Sequence, residues 1–352
     1  MRHSEHIMLY TSIDFEKQGK QQGFLQIPHS HNLAGWANVM VPITVLINRQ
    51  GKESDYGPTV LLLGGNHGDE YQGQIAIMKL AREILPEQIS GRLILIPSLN
   101  LPAARASTRL SPIDGMNMNR AFPGSAEGSV TSQIAHFLTT VLFPLCDVVV
   151  DIHSGGRSME FVPCSHMHLV ADLNQRKKML AAMLAWNSDF SFLYTDIAGS
   201  GLLPVEAENQ GKVVITTEMG GGECIPATVH RITQSGLRNV LVHVGLLKGR
   251  EKTRESLGLP PVVLTQALSR ENYLLAPESG IFEVTVDLGE RVTRGQTVGF
   301  IHQLERPDRT PESVCAQSSG FLITMRAPCL TQQGDCVAVI AQQVSMDEVL
   351  LE

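Results

Sequence analysis

The sequence predicts an α/β fold, a sheet flanked by helices, followed by a small all-β module of barrel-sandwich type. Three observations carry this. Short continuous apolar runs recur through the first two thirds of the chain, helix-spaced patterns lie between them, and after about residue 255 both give way to short strands and glycine turns. Apolar runs of strand length belong to sheets covered on both faces. At 352 residues the chain has room for roughly two domains, and the change of character places them at 1–255 and 256–352.

The elements follow in order. Trp36 to Asn48 (WANVMVPITVLIN) is rich in β-branched residues and reads as a strand, making the first ~50 residues β-rich, with Pro42 suited to an edge or bulge. Thr59 to Leu63 is a buried-strand run that breaks onto Gly64 and Gly65. Gln72 to Leu85 has helical spacing and stops at Pro86, and RLILIP (Arg92 to Pro97) is a strand again. The polar stretch Asn100 to Gly128 lacks periodicity, and a loop that long in a compact domain tends to be functional. A helix near Ser132 to Leu142 precedes DVVVDI (Asp147 to Ile152), which runs into His153. Val213 to Thr217 (VVITT) opens onto Glu218, Met219 and three glycines.

In the carboxyl-terminal part, GIFEVTVDLGERVTRGQTVGFI from Gly280 aligns with GFLITMRAPCLTQQGDCVAVI from Gly320. Two hairpin-like halves of this kind are similar to biotinyl and lipoyl carrier sandwiches. A carrier needs a lysine, and Lys252 is the last in the chain, so a structural or cleft-shaping role is expected.

Composition narrows the function. With 43% hydrophobic residues, 18% charged residues and a net charge of -7, the chain reads as a soluble protein whose surface does not suit nucleic acid. No run approaches the roughly 18 apolar residues of a membrane helix, and MRHSEHIMLYTSIDFEK lacks a signal-peptide core. The six cysteines form no C-x-x-C pair and are expected as reduced, mostly buried thiols. These features imply a cytoplasmic protein acting on a small molecule, with a homo-oligomer as the ordinary prior.

The chemistry lies at strand ends. A catalytic zinc site commonly takes three protein ligands and keeps a fourth position for water. His67 and Glu70 form a short-spaced pair, and His153 is the distant third. Spacing alone says little, since roughly one H-x-x-E arises by composition in such a chain; placement at the carboxyl ends of two buried strands, where α/β sheets keep their ligands, says more.

GGNHGDE (Gly64 to Glu70), the N-x-P-A of Asn100 to Ala103, NMNRAFPG (Asn117 to Gly124), DIHSGG (Asp151 to Gly156) and TTEMGG (Thr216 to Gly221) occur in this order. Together they resemble the succinylglutamate desuccinylase/aspartoacylase family, whose fold is similar to zinc carboxypeptidases. The resemblance implies one Zn2+ per chain on His67, Glu70 and His153, with Glu218 as general base and acid. It implies Arg109 as the stabiliser of the oxyanion, with Arg105 four residues earlier as the other arginine able to fill that place. Asn119 and Arg120 would grip the substrate carboxylate. SPIDGMNMNRAFPG, the triple glycine after Glu218 and LRNVLVHVGLL (Leu237 to Leu247) resemble family members that deacetylate a diamino acid. Glu206 and Glu208 would then face its cationic side chain.

Other residues read more plainly. Asp69 and Asp151 stand near enough to the histidines to orient a ring nitrogen, Asp151 by sharing a strand face with His153; for Asp69 a helix cap or loop hydrogen bond is an equal alternative, and neither is assigned a catalytic role. His166 and His168 read as a solvated loop, and Cys164 and Cys224 lack a base partner. The rival readings are a deacylase of an acidic N-acyl amino acid, a carboxyl-terminal peptidase, and a metal-free binding or scaffold protein.

Overall fold

The computed structural model describes residues 9–52, 56–195 and 200–351; the first eight residues, part of the stretch read for a leader, lie outside them. The chain forms two compact units. The first gathers Met1–His153, Gly199–Thr216 and Thr233–Lys252, the second Ser154–Ala198, Thr217–Ile232 and Thr253–Glu352.

The first unit opens with β1 (Tyr10–Thr11), β2 (Gly19–Pro28) and β3 (Asn38–Asn48), then β4 (Thr59–Gly64), α1 (Tyr71–Glu83) and β5 (Gly91–Ile96). α2 (Leu101–Ala106) and α3 (Val130–Phe137) follow, the latter continuing through a π-helical turn at Leu138–Leu142 into α4 (Phe143–Leu145) and then β6 (Val148–His153). Every residue of β4, β5 and β6 is buried. β4 runs parallel to both neighbours, Thr59 opposite Arg92 and Val60 opposite Val148, while β3 is antiparallel to β5. Each Leu or Ile withdrawn from water in these strands contributes about 1.5–3 kcal/mol.

Pro42 does not lie on an edge strand, because β3 sits between β2 and β5. β5 pairs only with Thr44–Asn48, however, so at Pro42 β3 has β2 alone beside it. The missing N–H is tolerated there as at an edge. α1 buries Gln72, Ala76, Ile77, Leu80 and Ala81, one helical stripe, and ends where Ile84 N–H closes on Leu80 O shortly before Pro86.

The second unit begins with β7 (Met159–Phe161), β8 (Cys164–His168), α5 (Leu173–Leu184) and β9 (Phe190–Tyr194). His166 and His168 are therefore not in a solvated loop. They lie on the wholly buried β8, parallel to β9, with ring centroids 4.8 and 4.2 Å from that of Tyr194. The first unit resumes with α6 (Leu203–Asn209) and β10 (Val213–Glu218), which lies beside β6 and passes to the second unit at Thr217; α7 (Ala227–His243) follows and returns to the first unit at Thr233.

The remaining chain forms β11 (Val263–Ala267), β12 (Tyr273–Leu275), β13 (Gly280–Val284), β14 (Arg291–Val292), β15 (Thr297–His302), β16 (Glu312–Cys315), β17 (Gly320–Arg326), β18 (Leu330–Thr331), β19 (Cys336–Gln343) and α8 (Met346–Leu351). A separate antiparallel sheet runs β16-β15-β13-β18. Phe282, Val298, Ile301, Leu322, Val337 and Ile340 share one core.

The internal repeat has a structural counterpart. β13 pairs with β15 of its own half and with β18 of the other, Gly280 opposite Thr331; β17 pairs with β19 of its own half and with β14 of the other, Gly320 opposite Val292. All six cysteines are free thiols, but only Cys146 and Cys164 are buried. Cys315 shows why: on a half-exposed strand, alternate side chains face water.

Candidate metal centre

β4 ends at Gly64, and Gly65 turns the chain through a positive φ of 65° that a side chain would resist. Gly68 is required by contact: a Cβ there would lie 2.0 Å from the carbonyl carbon of Ala103 in α2. Its N–H donates to Thr108 O at 2.9 Å, tying this turn to the loop that carries Arg109. Glu70 occupies the N-cap position of α1 in extended conformation, yet its side chain makes no capping bond. The carboxylate instead lies between two imidazoles, with Oε1 2.7 Å from His67 Nδ1 and Oε2 2.8 Å from His153 Nδ1.

The outer nitrogens explain this geometry. His67 Nε2 lies 3.1 Å from Asn117 Oδ1, and His153 Nε2 lies 2.8 Å from Asp151 Oδ2. Both partners are acceptors, so each Nε2 is suited to carry a hydrogen, which leaves each Nδ1 as the nitrogen that would turn to a metal beside Glu70, in place of the proton it shares with that carboxylate when no metal is bound. Asn66 Nδ2 donates to the same Asp151 oxygen at 2.9 Å, and all of these groups except Asn117 are buried. Three ligand atoms from His67, Glu70 and His153 thus lie within 4.8 Å of one another. Two imidazole nitrogens and a carboxylate are the donor set that suits zinc.

Charge follows the same pattern. Burial lowers the pKa of His67 against the pull of Glu70, so this ring stays neutral. Burial would raise the Glu70 carboxyl, but His67 and His153 outweigh it and hold the group well below the usual carboxylate range. His153 is driven well above its ordinary value, since Asp151 and Glu70 overcome the desolvation that would lower it. The centre is built to hold positive charge among its donors.

Arg109 is the arginine that reaches this centre. Its Nη1 lies 3.2 Å from His67 Nδ1 and 3.4 Å from Glu70 Oε1, and its side chain is 44% exposed. Arg105 stays exposed on the last turn of α2. Asn119 and Arg120 belong to a short 3-10 turn, Met118–Arg120, capped by Asn117, whose Oδ1 accepts Asn119 N–H at 2.9 Å. The same Asn117 oxygen meets His67, so the turn is fastened to the metal loop. Asn119 Oδ1 accepts Leu203 N–H at 2.9 Å at the start of α6, and Arg120 Nη1 donates to Asn119 O at 2.6 Å.

Glu218 is the last residue of β10 and belongs to the second unit, where Gly155 N–H donates to Gly220 O two residues beyond it. In that unit burial, with the charge of Glu218, pushes the Cys164 thiol far up, leaving it no nucleophile. Asn66 and Asn117 are the contacts that sequence reasoning missed. Both stand inside recognised motifs, but nothing in their spacing announces a partner 85 or 50 residues away.

Residues 56–244 match the succinylglutamate desuccinylase/aspartoacylase catalytic domain. The chain belongs to that family. Among curated relatives of the family, the N-alpha-acetyl-L-2,4-diaminobutyric acid deacetylase of Halomonas elongata is 38% identical over 334 residues, 95% of each chain. Among solved structures, the product-bound ectoine utilization protein EutE of Ruegeria pomeroyi is 38% identical, with a TM-score of 0.89 over 96% of this chain and 99% of that one. The succinylglutamate desuccinylase/aspartoacylase of Rhodobacter sphaeroides gives 37%, 0.90, 96% and 99%.

Proposed function

We propose that this family member is a zinc-dependent deacylase that hydrolyses the amide of N-alpha-acetyl-L-2,4-diaminobutyrate to acetate and L-2,4-diaminobutyrate, a step of ectoine breakdown. The observation that carries the metal reading is the convergence of His67 Nδ1, Glu70 and His153 Nδ1, each ring braced at its other nitrogen. The substrate reading is supported by the Halomonas elongata deacetylase, similar over nearly the whole chain.

Zinc held by these three residues would polarise the scissile carbonyl and bring the pKa of a water toward about 7. In this reading Glu218 takes a proton from the attacking water and returns one to the leaving α-nitrogen, work suited to a carboxylate. Arg109 stands within reach of the metal ligands and supplies fixed positive charge to the oxyanion as it forms. Arg120, with Asn119, holds the α-carboxylate, for which a planar guanidinium offers paired donors. Glu206 and Glu208 on α6 are proposed to face the cationic side chain.

The test is acetate release by zinc-loaded protein from this substrate, beside N-acetyl-aspartate and succinylglutamate, with a Glu218→Gln control. Preference for the diamino substrate, lost in the control, supports the reading. Equal or greater turnover of an acidic substrate replaces it with the acidic-deacylase reading.

A further inference from the structure

The amino-terminal ends of β4 and β5, opposite the metal loop, hold a second cluster of charge. Arg92 Nη2 donates to Glu16 Oε1 at 2.8 Å and Arg49 Nη1 to Glu16 Oε2 at 3.2 Å, so two guanidinium groups clasp one carboxylate. The arginine side chains are 3% and 15% exposed, whereas that of Glu16 is 68% exposed. Arg49 also donates to Thr59 Oγ1 at 3.0 Å and lies over the ring of Tyr56, 5.4 Å from its centroid. Nε and Nη1 of Arg92 and Nε of Arg49 are buried with no hydrogen-bond acceptor among the described residues.

Among the described residues, Glu16 is the carboxylate hydrogen-bonded to these guanidinium groups. Asp147 accepts Thr59 N–H at 2.8 Å, and burial pushes the Cys146 thiol up to about 12, leaving it neutral. Among the described residues two cations share one hydrogen-bonded carboxylate, and the more deeply buried of them has two N–H directions unused. Buried guanidinium groups ordinarily have each such donor matched.

We infer that Arg49 and Arg92 form a binding site for a tetrahedral oxyanion of the phosphate or sulfate class, and that Glu16 is the internal carboxylate that competes for it. The clasp already has the form of an oxyanion bridging two guanidinium groups, the arrangement for which arginine forks are suited. A dianion would match both positive charges where Glu16 matches one. Displacement asks only that one exposed side chain swing into water. β4 has 6 residues, at about 3.3 Å each, between this site and the metal loop; the anion therefore acts on stability and leaves the chemistry alone.

The experiment uses full-length protein, its Glu16→Gln variant and the Glu16→Gln/Arg49→Gln double variant, in inorganic phosphate, sulfate or chloride at matched ionic strength. Thermal unfolding and titration calorimetry are read together. In chloride Glu16→Gln should lower Tm, and phosphate or sulfate should restore it by mass action. Phosphate affinity should rise roughly tenfold or more over the unsubstituted protein and vanish in the double variant. No gain of Glu16→Gln in phosphate over chloride would overturn the inference, as would equal stabilisation of all three proteins.

Discussion

Asp151 grips the far side of the His153 ring: its Oδ2 lies 2.8 Å from Nε2, while Nδ1 lies 2.8 Å from Glu70. The aspartate decides which nitrogen keeps its hydrogen and so which lone pair faces inward. Asp151→Asn, able to offer an N–H in place of an oxygen, should weaken metal binding about 10–100-fold, as loss of a ligand's brace usually does. Competition with a chelator measures this, and an unchanged affinity would deny Asp151 the role.

Asn66 holds Asp151 in turn, donating at 2.9 Å from within the buried centre. Asn66→Leu removes that donor with little change in volume. We expect a smaller loss of metal affinity than in Asp151→Asn, roughly tenfold. A loss equal to or greater than that of Asp151→Asn would mean that Asn66 does more than steady its neighbour.

Arg109 and Arg105 separate cleanly by placement. Arg109→Lys keeps a charge but shortens its reach and removes the fork, so kcat should fall about 10²–10³-fold with KM little changed. Arg105→Ala should leave both constants near those of the unsubstituted enzyme. Steady-state kinetics on one substrate tests the pair, and the reverse pattern would exchange their roles.

Gly68→Ala places a methyl group 2.0 Å from the Ala103 carbonyl carbon, backbone that cannot swing aside. The metal loop must shift, and its bond to Thr108 O with it. Lower Tm together with substoichiometric zinc is the expected result, read by calorimetry and metal analysis. Full metal content would show that the loop tolerates the displacement.

Asp114 secures the start of α3, accepting from Ser129 Oγ at 2.7 Å and from Thr131 N and Oγ1 at 2.9 Å. Burial works to raise its pKa, but the hydrogen bonds from Ser129 and Thr131 prevail and hold it below the ordinary 3.8. A depressed carboxylate adds stability above its unfolded pKa and loses it as pH falls through the folded value. Asp114→Ala should therefore cost about 1 kcal/mol at neutral pH, and the difference should close below pH 3.8. Denaturant unfolding at pH 7 and pH 3 checks the sign.

The core strands were legible because burial on both faces writes itself as unbroken apolar runs: TVLLL, RLILI and the VVVDI of Val148 to Ile152 all lie in fully buried strands. The cluster of His67, Glu70 and His153, able to hold a metal, was legible from the place of these residues at the ends of two of those strands. β8 was not, since CSHMH contains neither an apolar run nor alternation, and its burial depends on β9 and Tyr194. Asn117 was missed for a different reason. One oxygen serves both the turn that carries Arg120 and the ring of His67, a double duty that only the folded chain displays.

The exchange of short strands in the β-module has a consequence for its ancestry and assembly. β14 leaves the first half to complete the second, and β18 makes the reverse journey, so neither half closes its own edges. A single such half could persist in water only beside its twin. The covalent link between them therefore acts as a tether that keeps two partners at high effective concentration, and a chain nicked between β15 and β17 should remain one folded body.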